Sequence, residues 1–240
     1  MIFNIHAGHG AVGSRSVGAV SILNESREDR IVKNEVVRLL RLLGHTVYDC
    51  TVDDGKDATD ILKRIVAKCN EHKVDLDVSI HFNSGVNDRS GNNKTTGTEC
   101  WCYDIASKTA TGYAEKIADA VSDLGFKNRG VKYSRGLYFL QKTKAQAVLI
   151  ECCFVDDKDD AQLYDAQAMA EAIVFGLTGQ RYREKVIVIN EGPEEAAETV
   201  TGDGDAIYRV QVGAYRNKAN AQALQAKLKA AGFDSFVTRA

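Results

Sequence analysis

Proline is nearly absent: the chain has one in 240 residues, at position 193, inside a stretch of acids and glycines. No apolar run is long enough to cross a bilayer, so insertion by a helix is not expected. Charge of one sign is missing too. A formal net charge of −2 withholds the bulk signal of a nucleic-acid or membrane-surface binder. The N-terminus MIFNIHAGHG has no basic n-region and no adequate apolar h-region, so no secretory signal is expected. None of the six cysteines forms a C-x-x-C pair, and without a leader the expectation is reduced, buried thiols rather than a disulfide framework.

What remains is ordinary globular composition, 44% apolar and 27% charged, which supports a packed core. Length allows a medium domain and a small one. IFNIH (2–6) reads as a buried strand ending in the glycine-rich turn AGHGAVG. Ile31, Val32, Val36, Leu39, Leu40 and Leu43 recur at helical spacing from about Glu28, and Gly44 stops the run. Further strands are predicted at 45–50, 76–83, 97–104 and 147–155, with helices at 57–73, 106–124 and about 158–177. Alternation of this kind predicts an α/β domain over residues 1–180, an open, mainly parallel twisted sheet with helices on both faces. KVIVIN (185–190) is a possible strand or tether, and residues 181–206 read as a linker, six of whose acids fall between 191 and 206. Residues 207–240 carry six Lys/Arg against one Asp and read strand, helix, strand, a small βαβ half-module too short to bury a sound core alone.

In such a sheet, ligands gather beyond the carboxyl ends of the strands. His9 follows the first strand, His81 closes VSIHFN, and Glu151 closes AVLIE. A buried strand that ends on an ionisable residue must pair that group or use it. Two histidines and a carboxylate suit a catalytic zinc, three protein ligands leaving a place for water. The acid ligand can be Glu151 itself, or Glu25 or Glu28 at the start of the first long helix. The same polar residues taken singly also fit a turn histidine, a core histidine and a structural carboxylate.

GHG after the first strand, a glutamate opening the first helix, SIHFN and AVLIE together resemble the zinc-dependent N-acetylmuramoyl-L-alanine amidases, over residues 1–180. The resemblance implies one zinc per chain held by His9, Glu25 and His81, with Glu151 as catalytic acid/base. It also implies hydrolysis of the amide between N-acetylmuramic acid and L-alanine of the stem peptide. Family members place the ligand acid about five helical turns before the closing glycine, which selects Glu25 over Glu28. Asn83, two residues past His81, is a candidate substrate contact or turn cap, and residues 85–97 are a candidate substrate rim. There are departures. His6 and Ala7 stand where the family has Asp-Pro, Cys152 replaces a small residue, and Asp29 replaces an asparagine.

The tail YRVQVGAYRNKANAQALQAKLKAAGFDSFV resembles one repeat of the sporulation-related (SPOR) wall-binding module, whose full fold takes two. The resemblance implies bacterial peptidoglycan as partner, with dimerisation through the repeat as one way to complete it, and no nucleic acid or membrane insertion. Expected location follows: made in the cytoplasm and acting on wall after phage or mother-cell lysis. The rival readings are a metal-dependent peptidase or deacetylase on the same polymer, an inactive wall-binding protein, and a thiol enzyme using Cys152 or Cys153.

Overall fold

The computed structural model describes residues 1–182, 217–230 and 237. Two compact units divide the chain, Met1–Glu184 and Lys185–Ala240. In the second, α7 (Lys218–Ala230) is the helix expected in the tail; the strands predicted around it, the segment 185–190 and nearly all of the 181–206 linker lie outside the described residues.

The first unit runs β1 (Ile2–Ala7), α1 (Glu25–Leu42), β2 (Thr46–Asp49), α2 (Ala58–Cys69), β3 (Leu76–Asn83), β4 (Thr98–Cys102), α3 (Lys108–Ser122), β5 (Asn128–Tyr133), α4 (Tyr138–Lys142), β6 (Ala147–Phe154), α5 (Lys158–Leu163) and α6 (Ala166–Thr178). Sheet order is β2-β1-β3-β6-β4-β5. Every neighbouring pair is parallel except β4 with β6. The mainly parallel α/β architecture expected from the alternation is therefore present, with one reversal.

Three local differences have physical causes. α1 begins at Glu25, three residues before its apolar periodicity, because the Asn24 side chain accepts from the Arg27 N–H and caps the helix. The helix expected over 158–177 breaks in two. Asp165 accepts from the Ala168 N–H and starts α6 afresh, a cap residue winning over helical continuation. The strand β5, NRGVKY, was not expected. It lies at the sheet's edge with its middle residues half-buried, so its sequence need not be apolar.

One face of the sheet presents Phe3, Ile5, Val78, Ile80, Val148, Ile150, Cys100 and Cys102 to α1, α3 and α6. The other packs Leu149 and Trp101 with Ile61, Ile65, Phe139 and Leu140 of α2 and α4. That second face is unusually polar along β1 and β3, where Asn4 pairs with Asp77 and His6 with Ser79, all buried. Its upper end, past the cover of α2 and α4, carries the site.

The loop after β3 is held by the acids of DDKDD (156–160). Asp156 accepts from the N–H groups of Gly85 and Asn87 at 2.9 and 2.8 Å, Asp157 from Thr96 at 3.1 Å, Asp159 from Asn92 at 2.7 Å, and Asp160 from Gly97 at 3.0 Å. Four carboxylates thus fix the path of residues 85–97.

Asp77 is 1% exposed and takes a hydrogen bond from Asn4 Nδ2 at 2.7 Å. Burial pushes its pKa up to about 6, against the pull of Asn4 and the Cys69 thiol. A carboxyl with a folded pKa above its unfolded one binds its proton more tightly when folded, so stability falls as pH rises from about 4 to about 6. Asp77→Asn keeps the acceptor and removes the buried charge. Urea unfolding is expected to show the variant's advantage over wild type widening from pH 4 to pH 7, to roughly 2–3 kcal/mol.

Candidate metal centre

His9 sits in the turn after β1, Glu25 is the first residue of α1, and His81 is in β3. Glu25 Oε1 lies 3.1 Å from His9 Nε2, 3.1 Å from His81 Nδ1, and 3.1 Å from the Phe82 N–H that donates to it. Its Oε2 accepts from the Ala19 N–H at 2.8 Å. Ligand atoms of the three side chains all lie within 4.8 Å of one another.

Electrostatics follow from sharing one carboxylate between two imidazoles. Burial works to raise the Glu25 pKa, but hydrogen bonds from His81 and His9 outweigh it and hold the carboxyl below its ordinary range. Burial lowers His81, and Glu25 does not fully offset it. At His9 burial is opposed successfully by Glu25, and the pKa rises. An ionised carboxylate with imidazoles on its rim is a cation-binding arrangement.

Two glycines make room for these ligands. A Cβ on Gly8 would stand 1.9 Å from His81 Cε1, and one on Gly18 would stand 2.4 Å from Glu25 Oε2. The turn is anchored from below: Arg30 donates Nη2 to the His9 carbonyl at 2.7 Å, Nη1 to the Ser26 carbonyl and Asp29 at 3.1 Å, and Nε to Asp53 at 3.0 Å. Nothing in the one-dimensional pattern singled out Arg30.

Donor chemistry fits zinc. A tetrahedral ion with bonds of about 2.0–2.1 Å needs donor atoms roughly 3.3 Å apart. The two carboxylate–imidazole separations are already close to that. His9, at 35% side-chain exposure, opens the site on one side, as a place for water requires. Glu28 is directed elsewhere, accepting from Tyr164 Oη at 3.1 Å.

Glu151 stands directly opposite His81 in the β3–β6 register, and a register shift follows at once between His81 and Asn83. Its Oε2 is buried without a hydrogen-bond partner among the described residues. Burial, then the nearby charges of Glu25 and Glu99, push its pKa well above the usual carboxylate range. Glu99 in turn stands opposite Glu151 across β4 and β6, so His81, Glu151 and Glu99 form one row over three strands. Glu99 is 1% exposed and takes four donors: Asn83 Nδ2 at 3.0 Å and Trp101 Nε1 at 3.1 Å on Oε1, Arg129 Nε at 2.6 Å and Lys132 Nζ on Oε2. Burial would raise its pKa, but Lys132 and Arg129 hold it low. Glu99 is buried between Thr98 and Cys100, both fully buried, a place that shows only once the strand is assigned.

Asn83 is committed at both ends, donating to Glu99 and accepting from the Ser84 N–H at 2.8 Å. His6 is fully enclosed, its ring edge against Phe139 at 4.6 Å and its pKa pushed by burial to about 3, a neutral strand residue. Asp29 is buried beside Arg30, and burial raises its pKa to about 6. Cys152 and Cys153 are wholly buried, and burial raises both thiols far from thiolate formation, which argues against a thiol nucleophile.

A sequence profile described as N-acetylmuramoyl-L-alanine amidase matches residues 4–178, and a SPOR domain profile matches 182–239. The uncharacterized protein CPE1502 of Clostridium perfringens is 34% identical over 181 residues, 75% of this chain and 52% of that protein. N-acetylmuramoyl-L-alanine amidase CwlM of Bacillus licheniformis is 29% identical over 236 residues, covering 97% of this chain and 83% of its own. Among solved structures, the catalytic domain of CD27L endolysin, described as targeting Clostridia Difficile, superposes with a TM-score of 0.66 at 26% identity. It covers 76% of this chain and 99% of its own. The chain spans about half the length of the Clostridium perfringens relatives it matches. No helix among the described residues is long and apolar enough to cross a membrane.

The geometry distinguishes the two candidate glutamates. Equilibrium zinc binding to the purified chain is expected to weaken by ~100-fold or more in Glu25→Gln, since direct ligands matter at least as much as their supports. Glu28→Gln is expected to bind as wild type does. Gly8→Ala is expected to weaken zinc binding as well, because the new methyl displaces the His81 ring.

Proposed function

Because the chain belongs to the N-acetylmuramoyl-L-alanine amidase family, we propose that it hydrolyses the amide joining the lactyl group of N-acetylmuramic acid to L-alanine of the peptidoglycan stem peptide. The observation that carries this reading is the placement of Glu151 directly across from His81, one strand from the His9–Glu25–His81 donor set. A zinc ion bound by those three residues would supply Lewis acidity toward the carbonyl and make a water easier to deprotonate.

The chain's own residues do the rest. Glu25, fixed by the Phe82 and Ala19 N–H groups, keeps the two imidazoles in place. Glu151 takes the proton of the attacking water as its oxygen joins the carbonyl carbon. The same carboxyl then delivers that proton to the alanine nitrogen as the carbon–nitrogen bond breaks, leaving a lactyl acid and a free amine. A raised pKa suits this double duty, because an ordinary carboxyl parts with its proton too readily to protonate a leaving amine near neutral pH. Asn83 contributes by holding Glu99 and the turn at Ser84, which shapes the substrate rim formed by residues 85–97.

The C-terminal unit is proposed to keep the enzyme on its polymer. Its net charge of +5 over residues 207–240 suits an anionic wall, and the SPOR profile match supports the same partner. A second chain's repeat would complete the two-repeat module. The site of action would be the cell wall.

Purified wall digested with wild type is expected to gain N-terminal alanine. Glu151→Ala should lower that release by about 10²–10⁴-fold while leaving zinc binding intact. Release of a different N-terminal residue would instead indicate a peptidase. Glu151 must be ionised to accept the water's proton, so kcat/KM rises with pH through its pKa. The ascending limb is expected above the ordinary glutamate value of about 4.3.

A further inference from the structure

Arg129 and Lys132 are not consumed by the chemistry described so far. Both converge on one oxygen, Glu99 Oε2, from the edge strand β5. Two cations thus face one buried carboxylate, which leaves a positive surplus beside Glu151. Arg129 is held by its Nε and by Phe154, whose ring centre is 5.0 Å from the guanidinium carbon. Its Nη1 and Nη2 make no hydrogen bond among the described residues. Those two groups form the edge of the fork that accepts a carboxylate bidentately. Lys132 lies over Trp101 at 5.4 Å and uses one of its three protons on Glu99. Both side chains are reachable from solvent, 28% and 33% exposed, while Glu99 beneath them is not.

Position fixes the kind of anion. Strands lie about 4.8 Å apart, so cations anchored over β4 stand about one strand spacing from Glu151. Successive residues of an extended peptide advance by about 3.8 Å. A ligand whose scissile amide is at Glu151 therefore brings its second residue, not its first, to the cation pair. In the stem peptide that residue is a glutamate joined through its side chain, whose α-carboxyl is free unless amidated.

We propose that Arg129 and Lys132 form a carboxylate subsite that recognises this α-carboxylate and so sets a preference for unamidated stem peptides. The proposal rests on the amidase reading above. Glu99 is the buried platform that keeps both cations in place, and Trp101 and Phe154 orient them.

The test uses the full-length chain and two peptidoglycans that differ only at the second stem residue, free acid in one and α-amide in the other. Initial rates of N-terminal alanine release are compared for wild type, Arg129→Gln and Lys132→Gln. Wild type is expected to favour the acid form roughly tenfold, in line with loss of a charge-assisted hydrogen bond. In each variant the acid-form rate should fall toward the amide-form rate, collapsing the ratio. Should either Gln variant fold poorly, Arg129→Lys keeps a cation on Glu99 while losing the fork, and it should lower the ratio too. Equal rates of wild type on both walls would overturn the proposal. So would a ratio that survives in the variants, or an equal loss on both walls, which assigns the pair to holding Glu99 alone. If wild type releases N-terminal alanine from neither wall, the amidase reading fails and this subsite fails with it.

Discussion

Glu25 Oε1 receives His9, His81 and the Phe82 N–H at one point, and this convergence joins the turn after β1, the first residue of α1 and the strand β3. A carboxylate that is nearly buried stays ionised only with such partners, and it in turn raises the His9 pKa while burial lowers that of His81. Each group therefore fixes the state of the others. The rest of the site is arranged to protect that convergence. Gly8 and Gly18 keep side chains out of it, Asn24 starts the helix where Glu25 must stand, and Arg30 ties the His9 turn to α1.

A second balance operates along the row His81, Glu151, Glu99. Two glutamates oppose each other on neighbouring strands, a pairing that costs energy if both are ionised. The sheet resolves it asymmetrically. Glu99 receives two cations and two neutral donors, which hold its pKa low; Glu151 receives none of these, and burial and the neighbouring acids push its pKa up. Identical side chains thus acquire opposite pKa shifts from their surroundings, the general way in which a protein sets two carboxyls apart.

Much of this was legible in the sequence, for identifiable reasons. LDVSIHFN is the strand at 76–83 to the residue, because its apolar alternation is strong and it lies mid-sheet. His9, His81 and Glu151 could be grouped because parallel strands bring their carboxyl ends to one edge. What escaped notice has a common cause. Arg129 and Lys132 lie on an edge strand whose polarity reads as loop, and Glu99 reads as a surface acid until β4 is known to be covered on both sides. The break between α5 and α6 depends on one Asp165 hydrogen bond, which apolar periodicity does not register. Glu25 could be preferred over Glu28 only through resemblance, whereas three-dimensional placement separates them by which groups they reach, imidazoles or Tyr164.

The acids of DDKDD grip the loop at 85–97 mainly through main-chain N–H groups. Any residue but proline offers that handle, so the loop's route is written in residues 156–160 together with its own positive-φ positions, Gly85, Asn87, Gly91, Asn93 and Gly97. The exposed side chains of Val86, Arg89 and Ser90 are then free of structural duty. Descendants of this sequence could exchange them, and a protein engineer could randomise them, with the scaffold's shape inherited unchanged from the opposite segment. Variation would then accumulate at those positions first, long before the turn, helix start and strand bearing His9, Glu25 and His81 could tolerate any.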